Sequence, residues 1–119
     1  MKREIIITDD GSATIYIPDW NEQYHSKHGA IQEAYHVFIN AGLHYFLTQL
    51  QPKPLKILEI GFGTGLNAFI TLLEAEKNNL SINYTGVEGY PISSSEIEKL
   101  NYSSQLNSSD ESFKKLHQS

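Results

Sequence analysis

The chain has 119 residues, 39% of them hydrophobic and 11% aromatic, and carries a formal net charge of −5. That length suits one domain, and that apolar fraction suits a packed core better than a disordered chain. The absence of cysteine excludes disulfides and thiolate zinc sites, and Lys and Arg are scattered, adjacent only at Lys2–Arg3 and Lys114–Lys115, so no basic stripe is present to neutralise phosphates.

The N-terminal apolar run is broken at Asp9 and Asp10, too early for a signal peptide or a membrane span. This predicts a soluble, cytoplasmic chain with no membrane partner. The segment EIIITDDGSATIYI predicts a β-hairpin, because two β-branched runs flank Asp9-Asp10-Gly11-Ser12 and Asp-Gly is a hairpin turn signal. Pro18 stops the second strand, and DWNEQYHSKHG follows as a polar connector with embedded aromatics.

From Ala30 to about Leu50 the pattern is helical. Ile31, Ala34, Tyr35, Phe38, Ala41, Tyr45 and Phe46 recur at steps of three and four. The stripe Tyr35, Phe38, Tyr45, Phe46 is expected in the core, and QPKP ends the helix. Leu55 to Ile60 predicts a short buried strand, Gly61 to Gly65 a turn, and Leu66 to Lys77 a helix with Leu66, Phe69, Ile70, Leu72 and Leu73 on its apolar side. Asn78-Asn79 ends that helix, and SINYTGVE predicts a second strand. Ser93 and Glu96 fit a capping box opening a helix through Ile97 and Leu100; NSSDES then reads as a polar loop before FKKLHQS. Strand, glycine turn, helix and strand make one βαβ unit with two parallel strands.

The turn carries the chemistry. Gly61, Gly63 and Gly65 lie directly between a strand and a helix, where a Cβ would hold a ligand off the backbone or strain the turn. The helix start offers free N–H groups. The dinucleotide fingerprint G-x-G-x-x-G is missed by one place, since Leu66 occupies the slot of its third glycine, and the Gly-Lys-Ser/Thr of a P-loop is absent. With Glu59 the pattern is E-x-G-x-G-x-G, which resembles the first motif of Rossmann-like S-adenosylmethionine-dependent methyltransferases. Glu88, at the end of the second strand, stands where a carboxylate can accept from both ribose hydroxyls.

Read together, DGSATIYIPDWNEQYHSKHGAIQEAYHVFI, ILEIGFGTGLNA and YTGVEGYP with the later LNY resemble the MnmC/MnmD family of tRNA methyltransferases over nearly the whole chain. That resemblance implies an α/β, Rossmann-like methyltransferase fold, with a hairpin and long helix (residues 1–54) before the first βαβ unit and a following helix (55–119). It implies S-adenosylmethionine as cofactor and tRNA as substrate, methylated on the aminomethyl group of the wobble uridine. Carried over by position, Glu59, Gly61, Gly63, Gly65, Leu66 and Asn67 form the cofactor loop, and Glu88 takes the ribose. Tyr24 and Ser26 line the methionine end or the cleft mouth, and Glu33 orients their segment. The implied reaction is an in-line attack of a neutral amine on the sulfonium methyl, resting on positioning and an unprotonated amine. The family's later Asp-Ala-Phe-type segment at the amine pocket and its further strands have no match here, so the chain reads as the front half of one domain, with the catalytic residues and most tRNA contacts expected outside it and no activity expected of it alone. Some relatives carry a fused flavin-dependent oxidase module, which nothing here matches.

The five histidines show no ligand spacing such as H-E-x-x-H, and a surface or cleft role is expected, with no metal. Two other readings stand beside the tRNA methyltransferase: one acting on a small molecule or protein, and a non-catalytic cofactor-binding remnant or partner-dependent module.

Overall fold

The computed structural model describes residues 2–45 and 55–118. Strands β1 (Glu4–Ile7) and β2 (Ala13–Ile17) pair antiparallel, Glu4 opposite Tyr16 and Ile7 opposite Ala13. A two-residue strand β3 (Glu22–Gln23), which the polar connector did not announce, adds to β2 after a 3₁₀ turn at Pro18–Trp20. Tyr24 N–H then donates to Ile15 O at 2.8 Å and brings the connector back over β2.

The hairpin turn also caps the next helix, α1, which is α-helical over Ala30–Ala34. Its start has no cap of its own, because Gly29 lacks a side chain. Thr8 Oγ1 accepts the Ala30 N–H (3.1 Å), Ser12 Oγ that of Ile31 (3.1 Å), and Asp10 Oδ2 that of Gln32 (3.0 Å). Gly29 is required by close approach: a Cβ there would lie 2.7 Å from Asp10 Oδ2. Burial pushes the Asp10 carboxyl upward, but hydrogen bonds from Ser12, Gln32 and Thr8 outweigh it and hold the group below its ordinary range.

From Tyr35 to His44 the helix bonds as a π-helix. The wider turn shifts the inward row. Ile39 and Leu43 are buried and Tyr35 and Phe38 pack partly against the core, while Ala41 is exposed and Tyr45 is 63% exposed. The expected core stripe is therefore corrected at Ala41 and Tyr45; Phe46 and QPKP lie outside the described residues.

Strand β4 (Leu55–Ile60) and β5 (Ile82–Val87) pair in parallel, Leu55 opposite Ile82 and Ile60 opposite Val87, joined through α2 (Leu66–Asn78). Asn79 closes α2 in the left-handed conformation (φ 55°), its N–H on Ala75 O. β4 is less buried than expected: the row of Leu55 and Ile57 packs on the core, leaving Leu58 65% and Ile60 76% exposed on the other face. α2 buries Leu66, Phe69 and Ile70, together with Ala68, Thr71 and Glu74. Glu74 is buried with partners: its Oε2 accepts from Asn78 Nδ2 (3.0 Å) and lies 3.0 Å from His44 Nε2.

The C-terminal stretch is more ordered than a polar loop. After α3 (Ser94–Lys99), opened by the Ser93/Glu96 capping box, come α4 (Tyr102–Gln105) and α5 (Asp110–Lys115), the latter capped by Ser109. Asn101 docks this stretch on the hairpin: Oδ1 accepts the Ala13 N–H (2.7 Å) and Nδ2 donates to Gly11 O (2.9 Å). Tyr102 and Phe113 stack edge-on at 5.6 Å, and Phe113 meets Phe69 of α2 at 5.2 Å. The hairpin, α2 and the C-terminal helices thus share one core.

Candidate functional site

The glycine turn stands at the C-terminal ends of the two parallel strands. Gly61 and Phe62 N–H both donate to Val87 O (2.8 and 3.0 Å), so the turn is folded back over β5. Gly61, Gly63 and Gly65 have φ of +85°, +59° and +80°, where other residues are strained. Their surroundings differ. A Cβ on Gly61 would point into open space, and one on Gly63 would face the Tyr24 ring at 3.2 Å. One on Gly65 would strike His117 Nε2 and the Phe62 ring, each at 2.9 Å.

Glu88 directly follows β5 and reaches back to the turn. Its Oε1 accepts the Gly63 N–H at 2.7 Å, and its Oε2 accepts the Tyr90 N–H at 3.0 Å. Glu59 is pinned instead by side chains: Asn67 Nδ2 donates to Oε2 (2.9 Å) and Tyr84 OH to Oε1 (2.7 Å). Burial, reinforced by Glu59, pushes the Tyr84 phenol far above its ordinary range, so it stays a donor. Glu59, Asn67 and Tyr84 lock β4, α2 and β5 together beneath the turn.

The turn is the wall between two hollows. One, of about 340 Å³, lies against α1 and is lined by Tyr24, Glu33, Phe38, Glu59, Gly61 and Asn67 among others. The other, of about 590 Å³, lies over α2 and β5 and is lined by Glu88, Tyr84, Thr85, Ile92 and His117 among others. Phe62 and Gly63 line both. Leu66 and Asn67 line the smaller hollow. Gly65 lines neither and serves the turn, beside His117. Ser26 lies outside both, in a shallow cleft with Tyr24, His25 and Glu33. There Glu33 Oε1 accepts the Ser26 N–H (3.1 Å), and Ser26 Oγ accepts the His28 N–H (3.1 Å).

Sequence reasoning passed over Phe62 and Tyr84; His25, expected at the surface or in a cleft, lines the smaller hollow and the shallow cleft beside Ser26. Tyr84 was detectable as a polar aromatic on the inward row of β5, diagonal to Glu59 in the parallel register. His25 is mostly buried, its Nδ1 2.7 Å from Thr14 Oγ1, edge-on to Tyr102. Burial pulls its pKa down to about 4 against the opposing pull of Glu33, so the ring is neutral at pH 7. Among the described residues there is no group of three or more His, Asp or Glu that could hold a metal, and no helix long and apolar enough to cross a membrane.

No family model matches the chain. Curated relatives do. It is 36% identical over 85 residues to the tRNA 5-methylaminomethyl-2-thiouridine biosynthesis bifunctional protein MnmC of Leptospira borgpetersenii, covering 67% of this chain and 13% of that protein. The MnmC proteins of Burkholderia multivorans and Acidovorax sp. are 34% and 32% identical over 76% and 82% of the chain. The chain thus spans about one seventh of these relatives, 13–15% of their length. In structure it matches MnmC2 of Aquifex aeolicus with a TM-score of 0.67 at 30% identity, over 77% of this chain and 31% of that one. Sequence and fold agree over most of its residues: the chain belongs to the MnmC family and corresponds to a small N-terminal part of it.

Proposed function

We propose that the chain is the cofactor-binding part of a Rossmann-like, S-adenosylmethionine-dependent methyltransferase that modifies the aminomethyl group of the tRNA wobble uridine. The observation that carries the cofactor reading is the 2.7 Å bond between Gly63 N–H and the Glu88 carboxylate. It joins a positive-φ glycine turn to an acidic strand end within one parallel βαβ unit. The fit is one of donor set and space: at Gly61 open space lies where a side chain would be, and a carboxylate with further acceptor capacity faces the turn. The tRNA reading rests on the named relatives.

When bound, the cofactor supplies an electrophilic methyl group. The chain's own residues bind and orient. Glu88 accepts the ribose hydroxyls, and the backbone of Gly61 and Gly63 gives close approach. Glu59, held by Asn67 and Tyr84, fixes the turn against the sheet. Tyr24, packed over Gly63, closes the side toward α1, where Glu33 holds the Ser26 segment. No residue of the chain is assigned to the substrate amine.

Glu88→Ala is the test. Calorimetry with S-adenosylhomocysteine should show affinity lower by ~1–3 kcal/mol, the scale of a lost charged hydrogen bond. Unchanged affinity would remove Glu88 from the site. Transfer to tRNA bearing the unmethylated aminomethyl-uridine, assayed with the whole family protein, separates this substrate from a small molecule or protein.

A further inference from the structure

Arg3, near the start of the hairpin, touches none of the glycines, yet it holds the segment that aims Glu88. Its Nη1 donates to Tyr90 O at 3.1 Å and its Nη2 to Glu96 Oε1 at 2.9 Å, with Pro91 O at 3.5 Å. Both side chains of the Arg3–Glu96 pair are only 17% exposed. One wall of the candidate site, the Glu88–Pro91 bend, is therefore held at Arg3.

The bonds run in a continuous series. Glu96 is fixed by its own capping box, accepting the Ser93 N–H at 2.8 Å. It anchors Arg3, Arg3 holds the Tyr90 carbonyl, the Tyr90 N–H donates to Glu88 Oε2, and Glu88 Oε1 accepts from Gly63. The planar guanidinium fork suits two acceptors at a fixed angle, which an ammonium does not match. Glu88 follows Val87 in a bend with Gly89 and exposed Tyr90, so its backbone has little packing to fix it.

We propose that Arg3 is a positioning residue for the cofactor site, acting through the Tyr90 peptide to set the Glu88 carboxylate for the ribose. This makes the N-terminal hairpin a part of that site and rests on the cofactor reading above.

The test uses the whole chain, isotope-labelled, as wild type, Arg3→Met, Arg3→Lys, Glu88→Gln and Arg3→Met/Glu88→Gln. The readouts are the Gly63 amide proton resonance, which reports its bond to a carboxylate, and titrations with S-adenosylhomocysteine and its 2′-deoxy analogue. Arg3→Met should move the Gly63 resonance upfield, as Glu88→Gln does, and weaken S-adenosylhomocysteine about three- to tenfold. It should also narrow the preference over the 2′-deoxy analogue. In the Glu88→Gln background Arg3→Met should cost nothing further. Arg3→Lys, which keeps the charge beside Glu96, should fold normally and recover part of both effects. An equal loss in both backgrounds, or an unmoved Gly63 resonance in Arg3→Met and Arg3→Lys, would reduce Arg3 to a structural tie and overturn the proposal. Failure of the wild type to bind either compound would overturn the cofactor reading and the proposal with it. That failure is told apart by the Gly63 resonance, which still reports on the Arg3–Glu88 series without ligand.

Discussion

Replacing Asp10 with alanine strips four hydrogen bonds from the junction of the hairpin and α1. Those from Thr8 Oγ1, Ser12 N and Ser12 Oγ end on Oδ1, and that from Gln32 N ends on Oδ2. Loss of the Gln32 bond is loss of a helix cap, ~0.5–2 kcal/mol. The turn bonds add ~0.5–1.5 kcal/mol each at most, less where water replaces the carboxylate or where Thr8 keeps its bond to Ser12 O. The expected total is about 3 kcal/mol, which for a chain of this size lowers Tm by roughly 10 °C. Denaturation followed by circular dichroism measures it. The pH dependence has a defined sign. Because the folded pKa of Asp10 lies below its unfolded value, its stabilisation is full above the ordinary aspartate range of ~4 and is lost as pH falls through the folded value. The variant should lack that part of the acid limb. A loss under ~0.5 kcal/mol at neutral pH would refute the claim that the hairpin turn caps α1, and with it the reason given for Gly29.

Three further outcomes are expected. His25 gives stability that is complete above its unfolded pKa of ~6.5 and declines as pH falls toward about 4, because the unfolded ring binds a proton that the buried ring refuses. The loss approaches about 3 kcal/mol, and urea titrations of wild type and His25→Gln between pH 7 and 4 should converge. Gly86→Ala should destabilise by ~1–3 kcal/mol in urea titration, since its Cβ would lie 2.3 Å from Phe62 Cδ1, beside the turn. Leu58→Lys, on the bare face of β4 with Ile60 and near Val87, should raise the concentration at which the chain stays monodisperse by light scattering, with no loss of secondary structure.

The parts legible in the sequence are those set by local chemistry. Asp10-Gly11 marks the bend between β1 and β2, Ser93 and Glu96 form the capping box, and Asn79 takes the left-handed cap. Each depends on a few neighbours and on the backbone preferences of one residue type. The glycine turn falls in the same class, since three alternating glycines after an apolar strand admit the positive φ that Gly61, Gly63 and Gly65 adopt. What escaped depends on distant partners. The exposure of Leu58 and Ile60 depends on which faces other elements cover, and alternation along β4 carries no such information. The π-bonded stretch from Tyr35 moved Ala41 and Tyr45 outward, because one extra residue per hydrogen-bonded turn is invisible to a three-and-four pattern. NSSDES read as loop because Ser and Asp favour both turns and helix caps; the burial of Phe113 against Phe69 and Tyr102 decides for α5. Arg3 and Glu96 lie 93 residues apart, and no spacing rule joins them.

The proposed cofactor site is the turn at Gly61–Gly65 together with the Glu88 carboxylate. An amide-resolved titration of the labelled chain with S-adenosylhomocysteine, up to millimolar concentration, decides whether S-adenosylmethionine binds there. Saturable shifts are expected, concentrated at Gly61, Gly63 and the residues flanking Glu88, with Gly63 moving furthest because its N–H shares the Glu88 carboxylate with the ligand. Flat resonances at these positions across the titration, or saturable shifts confined to other parts of the chain, would contradict the proposed site.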